Sequence, residues 1–154
     1  MRMAETVARS LQRADCHYDL VEHDHSATSL ESARKARIPA ERMAKSVVLD
    51  DRRGHYLMAV LPANRQLDLD KVHKGPWRWQ LTREQSLGGL FKDCERGAIP
   101  AIGEAYGMGM LIDPALTRQA DIYLEAGDHE SLIRMPVEEF FKLAPNAQLC
   151  ELSR

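Results

Sequence analysis

Apolar residues recur at helical spacing at Val7, Leu11 and Ala14, with Arg9, Gln12 and Arg13 between them, which predicts a helix over residues 3–14. The period then changes. Tyr18-Asp19-Leu20-Val21-Glu22 reads as a strand. Thr28-Ser29-Leu30-Glu31 has the spacing of a capping box and predicts a short helix to Arg37. Pro39 stops that helix and starts one more turn. Lys45 to Leu49 is a β-branched run, Asp51-Arg52-Arg53-Gly54 a hairpin turn, and His55 to Leu61 the partner strand. Leu67 to Val72 reads as helical. Thr82-Arg83-Glu84-Gln85 is a second capping box, opening a helix to Leu90 or Phe91. Met108 to Ile112 and Asp121 to Leu124 read as strands, and Leu132 to Met135 as the last one. Pro136, at a first helical position, opens a closing helix to Leu143. Strands and helices intermix without regular βαβ alternation. The pattern therefore predicts one α+β domain over residues 1–154, with a mixed, partly barrel-like β-sheet surrounded by helices.

One stretch has neither period: Gly97-Ala98-Ile99-Pro100-Ala101-Ile102-Gly103. Gly97 and Gly103 permit positive φ and close approach of a ligand to the backbone. Pro100 fixes one φ and removes one N–H. Two readings fit. The stretch is an ordinary turn between a helix and a strand, or a stiff apolar loop whose free N–H groups hold a small polar ligand.

Composition narrows the class. The chain has 154 residues, 44% hydrophobic and 29% charged, which suits a soluble globular protein. No apolar run approaches the ~20 residues of a membrane span. The N-terminus lacks the apolar centre of a signal peptide. Cys16, Cys94 and Cys150 are widely spaced and form no CxxC pair, so reduced thiols in the cytoplasm are expected. The net charge of −2 gives no global nucleic-acid signature. The distribution is less even. Residues 34–53 hold seven bases against three acids, and residues 121–154 seven acids against three bases. Such asymmetry can place a small basic patch beside a site, with Arg34, Lys35, Arg37 and Arg42 as its candidates.

Four segments now fall in order: Ala44-Lys45-Ser46-Val47-Val48-Leu49, Tyr56 to Ala63, the Gly97–Gly103 loop, and Gly127-Asp128-His129-Glu130 ahead of the final strand and helix. In this order and spacing they resemble the YbaK/EbsC family, which includes the bacterial proline-tRNA editing domains. The resemblance runs from Tyr18 to Leu143. It implies a compact YbaK-like fold and deacylation of a mischarged aminoacyl-tRNA, with no cofactor and no metal. It implies the aminoacyl-tRNA acceptor end as partner, with prolyl-tRNA synthetase as a further one, and neither membrane nor DNA. The substrate implied is tRNA(Pro) carrying a small non-cognate amino acid.

The resemblance also assigns roles. Lys45 matches the family's functional lysine, where an ammonium can meet a phosphate or an ester carbonyl as a point charge. Gly97, Pro100 and Gly103 match the family loop, with Ile99 between them, so the loop would lie against the ester and its N–H groups would stabilise an oxyanion. The second proline common after Pro100 is Ala101 here. Ser46 stands where relatives carry a small polar residue. His129 matches a histidine of the late turn, and His23 one at the end of the first strand. Asp113 matches an aspartate for which a structural cap is the favoured role.

Other chemistry carries less. His23-Asp24-His25 is metal-capable, yet no matching Cys or His pair follows at zinc spacing. Cys94 could be imagined as a nucleophile with His129, but a buried thiol is the commoner state. Trp77 and Trp79 flank Arg78 and suit core packing better than base stacking. Three classes therefore stay open: a trans-editing deacylase, an inactive binding module of the same fold that modulates a synthetase or another partner, and an unrelated small hydrolase.

Overall fold

The computed structural model describes residues 3–72 and 78–154. Helix α1 (Glu5–Arg13) buries Val7 and Leu11, the residues its spacing selects. Strand β1 (Asp19–Glu22) follows. Helix α2 (Ser29–Lys35) opens on a true cap: the Glu31 N–H donates to Thr28 Oγ1 over 3.1 Å, and the Ala27 N–H to Glu31 Oε1 over 3.2 Å. The turn expected after Pro39 is a 3-10 turn at Ala40–Arg42.

Strands β2 (Ala44–Asp50) and β3 (Tyr56–Pro62) form the predicted hairpin, antiparallel, with Lys45 opposite Leu61. Its turn is held by Asp51 Oδ1, which accepts from the Arg53 and His55 N–H groups at 2.9 and 3.1 Å. Then come α3 (Leu69–Val72), β4 (Gln80–Leu81), α4 (Glu84–Leu90), β5 (Gly109–Ile112), β6 (Asp121–Glu125), β7 (Ser131–Pro136), α5 (Val137–Leu143) and β8 (Gln148–Leu149).

Two predicted helix starts are corrected. Arg83, not Thr82, stands at the N-cap of α4 and makes no side-chain cap bond, while the buried Thr82 Oγ1 has no partner. The Thr82 box therefore does not form. Pro136 ends β7 and caps α5 rather than occupying its first turn.

The strands form two sheets. One is antiparallel, in the order β1-β7-β6. The other is mixed, in the order β4-β2-β3-β5-β8, with β3-β5 and β5-β8 parallel. The sheets do not close into a barrel. Among the described residues, one bridge between Met43 and Tyr123 joins them at a corner.

The main core lies between the sheets, where Val48, Met58, Met110, Ile122, Ile133 and Phe140 are buried together. A second cluster, with Leu49, Ala59 and Leu152, covers the outer face of the mixed sheet, and Trp79 packs on it. Trp77 lies outside the described residues. Among the described residues no helix is long and apolar enough to cross a membrane.

Candidate functional site

Strand β2 divides its first residues between its two faces, because successive side chains alternate. Ala44 and Val48 enter the main core, and Ser46 shares their face. Its hydroxyl donates to the Ile99 carbonyl over 2.8 Å, tying the Gly97 loop to the strand. Lys45 shares the other face with Val47 and Leu49. Its half-buried ammonium donates to the Arg65 carbonyl. Burial lowers the Lys45 pKa below the ordinary lysine value. No hydrogen bond joins Lys45 to the loop among the described residues.

The two loop glycines differ. Gly97 has φ of +82°. A Cβ there would stand 3.1 Å from the Ala27 carbonyl oxygen and 3.2 Å from His129 Cε1. Glycine is thus required by conformation and by close approach. Gly103 does not use the positive φ that glycine permits. It is buried with an ordinary φ, opens the 3-10 turn Gly103–Tyr106, and would drive a Cβ to 3.0–3.1 Å from Met58, Met108 and Met110. Its smallness serves the core. Pro100 is buried as well.

The exposed end of the loop borders a cleft of about 400 Å³, lined by Leu87, Phe91, Cys94, Gly97 and Ile99, with Glu84 on its rim. Among the described residues the Gly97 and Ile99 N–H groups donate to no protein acceptor. Two free amides beside an apolar floor can receive a small polar group that carries an apolar substituent. Pro100 and Gly103 do not line this cleft.

The late turn packs against the same loop. Asp128 accepts from the Glu130 and Ser131 N–H groups at 3.0 and 2.9 Å, which shapes the turn. His129 takes φ of +62°, unusual for a residue with a Cβ. It is 4% exposed, and its Nε2 meets the Arg96 carbonyl. That contact makes Nε2 a donor, while Nδ1 is buried without a partner. The His129 carbonyl accepts from the Ser26 N–H at 3.2 Å. The His25 ring lies 5.5 Å from that of His129. His23 sits further back. Its N–H donates to the Glu130 carbonyl over 2.9 Å, its Nδ1 meets the Asp24 carbonyl at 2.6 Å, and its Nε2 is buried without a partner.

A buried polar group under this turn carried no signal in the sequence. Glu125, at the end of β6, is 1% exposed. Ser32 lies beside its carboxyl, but neither oxygen is in hydrogen-bond geometry. Burial pushes the Glu125 pKa up to about 7; nearby Asp128 raises it further and Ser32 opposes. Ser32 continues to Ser26 at 2.6 Å, and Ser26 Oγ to the His129 carbonyl at 3.3 Å.

Burial likewise pushes the Cys94 thiol to about 12, and its sulfur pairs with the Tyr106 hydroxyl at 3.3 Å. It is a protonated packing thiol at neutral pH, not an activated nucleophile. Asp113 caps the 3-10 turn Pro114–Arg118, accepting from the Ala115 N–H at 2.9 Å. Of the basic candidates, Lys35 donates to the His25 carbonyl and Arg42 to Gln119 Oε1 at 3.3 Å. Among the described residues no three His, Cys, Asp or Glu side chains converge as metal ligands.

Comparison with known proteins agrees with this fold. The aminoacyl-tRNA editing domain family matches residues 23–143. A solved structure of a candidate trans-editing enzyme for prolyl tRNA synthetase superimposes with a TM-score of 0.83 at 21% identity, over 100% of this chain and 98% of that one. A hypothetical protein superimposes at 0.84 and 16% identity, over 97% and 100%. A candidate signal transduction protein from Marinobacter aquaeolei VT8 gives 0.73 at 18% identity, over 96% of this chain but 30% of its own length. At these identities the structures establish the fold alone. No curated protein sequence matches. The family match spans most of the chain, from the His23 segment through the Gly97 loop to α5: the chain belongs to the aminoacyl-tRNA editing domain family.

Proposed function

We propose that this protein is a trans-editing deacylase that hydrolyses the ester of a mischarged aminoacyl-tRNA, tRNA(Pro) bearing a small non-cognate amino acid. The observation that carries the reading is the pair of unpartnered amides, Gly97 and Ile99, at the edge of a cleft with an apolar floor. The aminoacyl side chain would rest on Leu87 and Phe91. Water attacks the ester carbonyl carbon, and the oxyanion that develops is met by the two amides. The C–O bond to the terminal ribose then breaks, and the ribose oxygen takes the proton. Free amino acid and uncharged tRNA leave. Preformed oxyanion donors of this kind contribute about 10²–10³ in rate.

Lys45 supplies the fixed cation. One of its three N–H donors is used on Arg65, so two are free for the terminal phosphate. Ser46 acts by holding Ile99, and His129 by backing Gly97. Pro100 stiffens the loop from within. His23 shapes the floor beneath the late turn. Gly103 packs rather than reacts. Prolyl-tRNA synthetase is the partner that such an activity would follow in translation.

The test is single-turnover deacylation on a panel of mischarged tRNAs. Hydrolysis confined to tRNA(Pro) bearing a small wrong residue is expected. A folded protein that binds tRNA and hydrolyses none of the panel would instead be the inactive binding module.

A further inference from the structure

One end of the molecule gathers cations from four separate segments. Arg65 follows β3, Lys71 sits on α3, Arg118 ends the 3-10 turn, and Lys45 is the second residue of β2. Arg65, Lys71 and Arg118 line a cleft of about 180 Å³ with Ser153. Lys45 joins it through the Arg65 carbonyl. Its neighbour Ser46 holds Ile99 of the Gly97 loop. Two adjacent residues of one strand, with side chains on opposite faces, thus reach this cleft and the loop respectively.

The cations are poorly neutralised from within. Two carboxylates line the cleft, Asp113 and Glu151. Asp113 is buried, and its oxygens are taken by the Ala115 N–H at 2.9 Å, the Leu152 N–H at 3.1 Å and Ser153 Oγ at 2.9 Å. Arg65 acts on it only at longer range. Glu151 is left as the one exposed carboxylate among three exposed cations. Among the described residues none of the four cations is in an ion pair.

Their donors are mostly unspent. Arg65 gives one N–H to Ser153 Oγ at 3.3 Å, and Lys71 one to the Ser153 carbonyl at 2.6 Å. The Arg118 side chain makes no hydrogen bond with a described residue. A guanidinium has five donors and an ammonium three, so the cleft is rich in cationic N–H groups without acceptors. Glu151 on the rim disfavours a small dianion more than a singly charged diester.

The geometry points to a phosphodiester cleft: Arg65, Lys71 and Arg118 grip the backbone of the tRNA acceptor strand, and Lys45 stands at the edge of that grip beside the Arg65 carbonyl. This inference rests on the reading of the chain as a tRNA deacylase. It also places the RNA contact on residues far apart in sequence rather than on the run of bases near Arg34.

Binding of uncharged tRNA, followed by fluorescence anisotropy across a salt series, tests it separately from catalysis. Arg118→Glu should weaken binding at least about fivefold. The double variant Lys71→Ala/Arg118→Ala should flatten the slope of log affinity on log salt by roughly 1.4–1.8, the value for two lost phosphate contacts. Arg53→Glu, which changes net charge equally at the far hairpin turn, should bind as the parent does. Unchanged affinity and slope in folded cleft variants would overturn the proposal. So would an equal loss in Arg53→Glu, which would mean that only overall charge matters. Inorganic phosphate at matched ionic strength should compete no better than chloride. Preferential competition that disappears in Arg118→Glu would reassign the cleft to free phosphate. A parent that binds tRNA through these residues but hydrolyses nothing would sink the deacylase reading and leave the cleft standing.

Discussion

The hydroxyl of Ser46 donates to the carbonyl of Ile99 over 2.8 Å, so the third residue past Met43's bridge is also the anchor of the Gly97 loop. Ser46→Ala removes that anchor and leaves a half-buried carbonyl without its donor. The expected cost is about 1 kcal/mol of stability. The larger effect should be on the rate at saturating tRNA, because the loop amides lose their fixed position. Ser46→Thr, which keeps the hydroxyl, should recover most of that rate. Equal rates in Ser46→Ala and the parent would separate the loop from the chemistry.

Lys45→Ala should lower single-turnover deacylation by roughly 10²-fold or more, the scale of lost substrate positioning. The melting point should move little, since the side chain contributes one hydrogen bond to a carbonyl at the sheet edge. Lys45→Arg should not restore the rate, because a planar fork does not replace a compact ammonium. Parent-like rates in folded Lys45→Ala would place the chemistry elsewhere.

Gly97→Ala tests the loop backbone with the smallest possible change. The positive φ costs about 1–2 kcal/mol for a residue with a Cβ. The added methyl also presses on the Ala27 carbonyl and the His129 ring, at 3.1 and 3.2 Å. Deacylation should fall much further than stability does. A melt beside the kinetic assay checks the pair, and a large loss of stability with full activity per folded molecule would contradict it.

Glu125 makes stability depend on pH in a defined direction. Its folded pKa of about 7 lies above the ordinary 4.5, so the folded state holds a proton that the unfolded chain releases between those values. Stability therefore falls as pH rises through this window and levels off above it. The contribution is at most about 3 kcal/mol. Glu125→Gln keeps the shape and removes the titration, so melts from pH 5 to 8 should show a flatter profile than the parent. An identical profile would mean that the carboxyl does not titrate there.

Much of the architecture could be read from the chain because local signals agreed with tertiary ones. The β2–β3 hairpin carries its turn in Asp51 and Gly54, and α2 carries its cap in Thr28. The failures have causes of a different range. Gln80–Leu81 and Gln148–Leu149 are two-residue strands whose existence depends on a distant partner, so no period marks them. Thr82 had the cap spacing, but the chain enters the helix one residue later. At the site, both glycines were legible as permitting positive φ; Gly97 uses it, while at Gly103 crowding by three methionines decides. Glu125 and the trio Arg65, Lys71 and Arg118 were invisible. Burial of a carboxylate and convergence of far-apart cations belong to the fold, not to any stretch of sequence.

The crowding at Gly103 has a practical use. Met58, Met108 and Met110 stand against the far end of the same loop that opens on the cleft at Gly97. Their methyl groups are narrow, well-separated signals in a nuclear magnetic resonance spectrum of protein labelled only at methionine. A substrate analogue that shifts the loop would be reported from inside the core, with no probe attached near the reacting ester. Met3, just ahead of α1, would serve as a reference in the same spectrum.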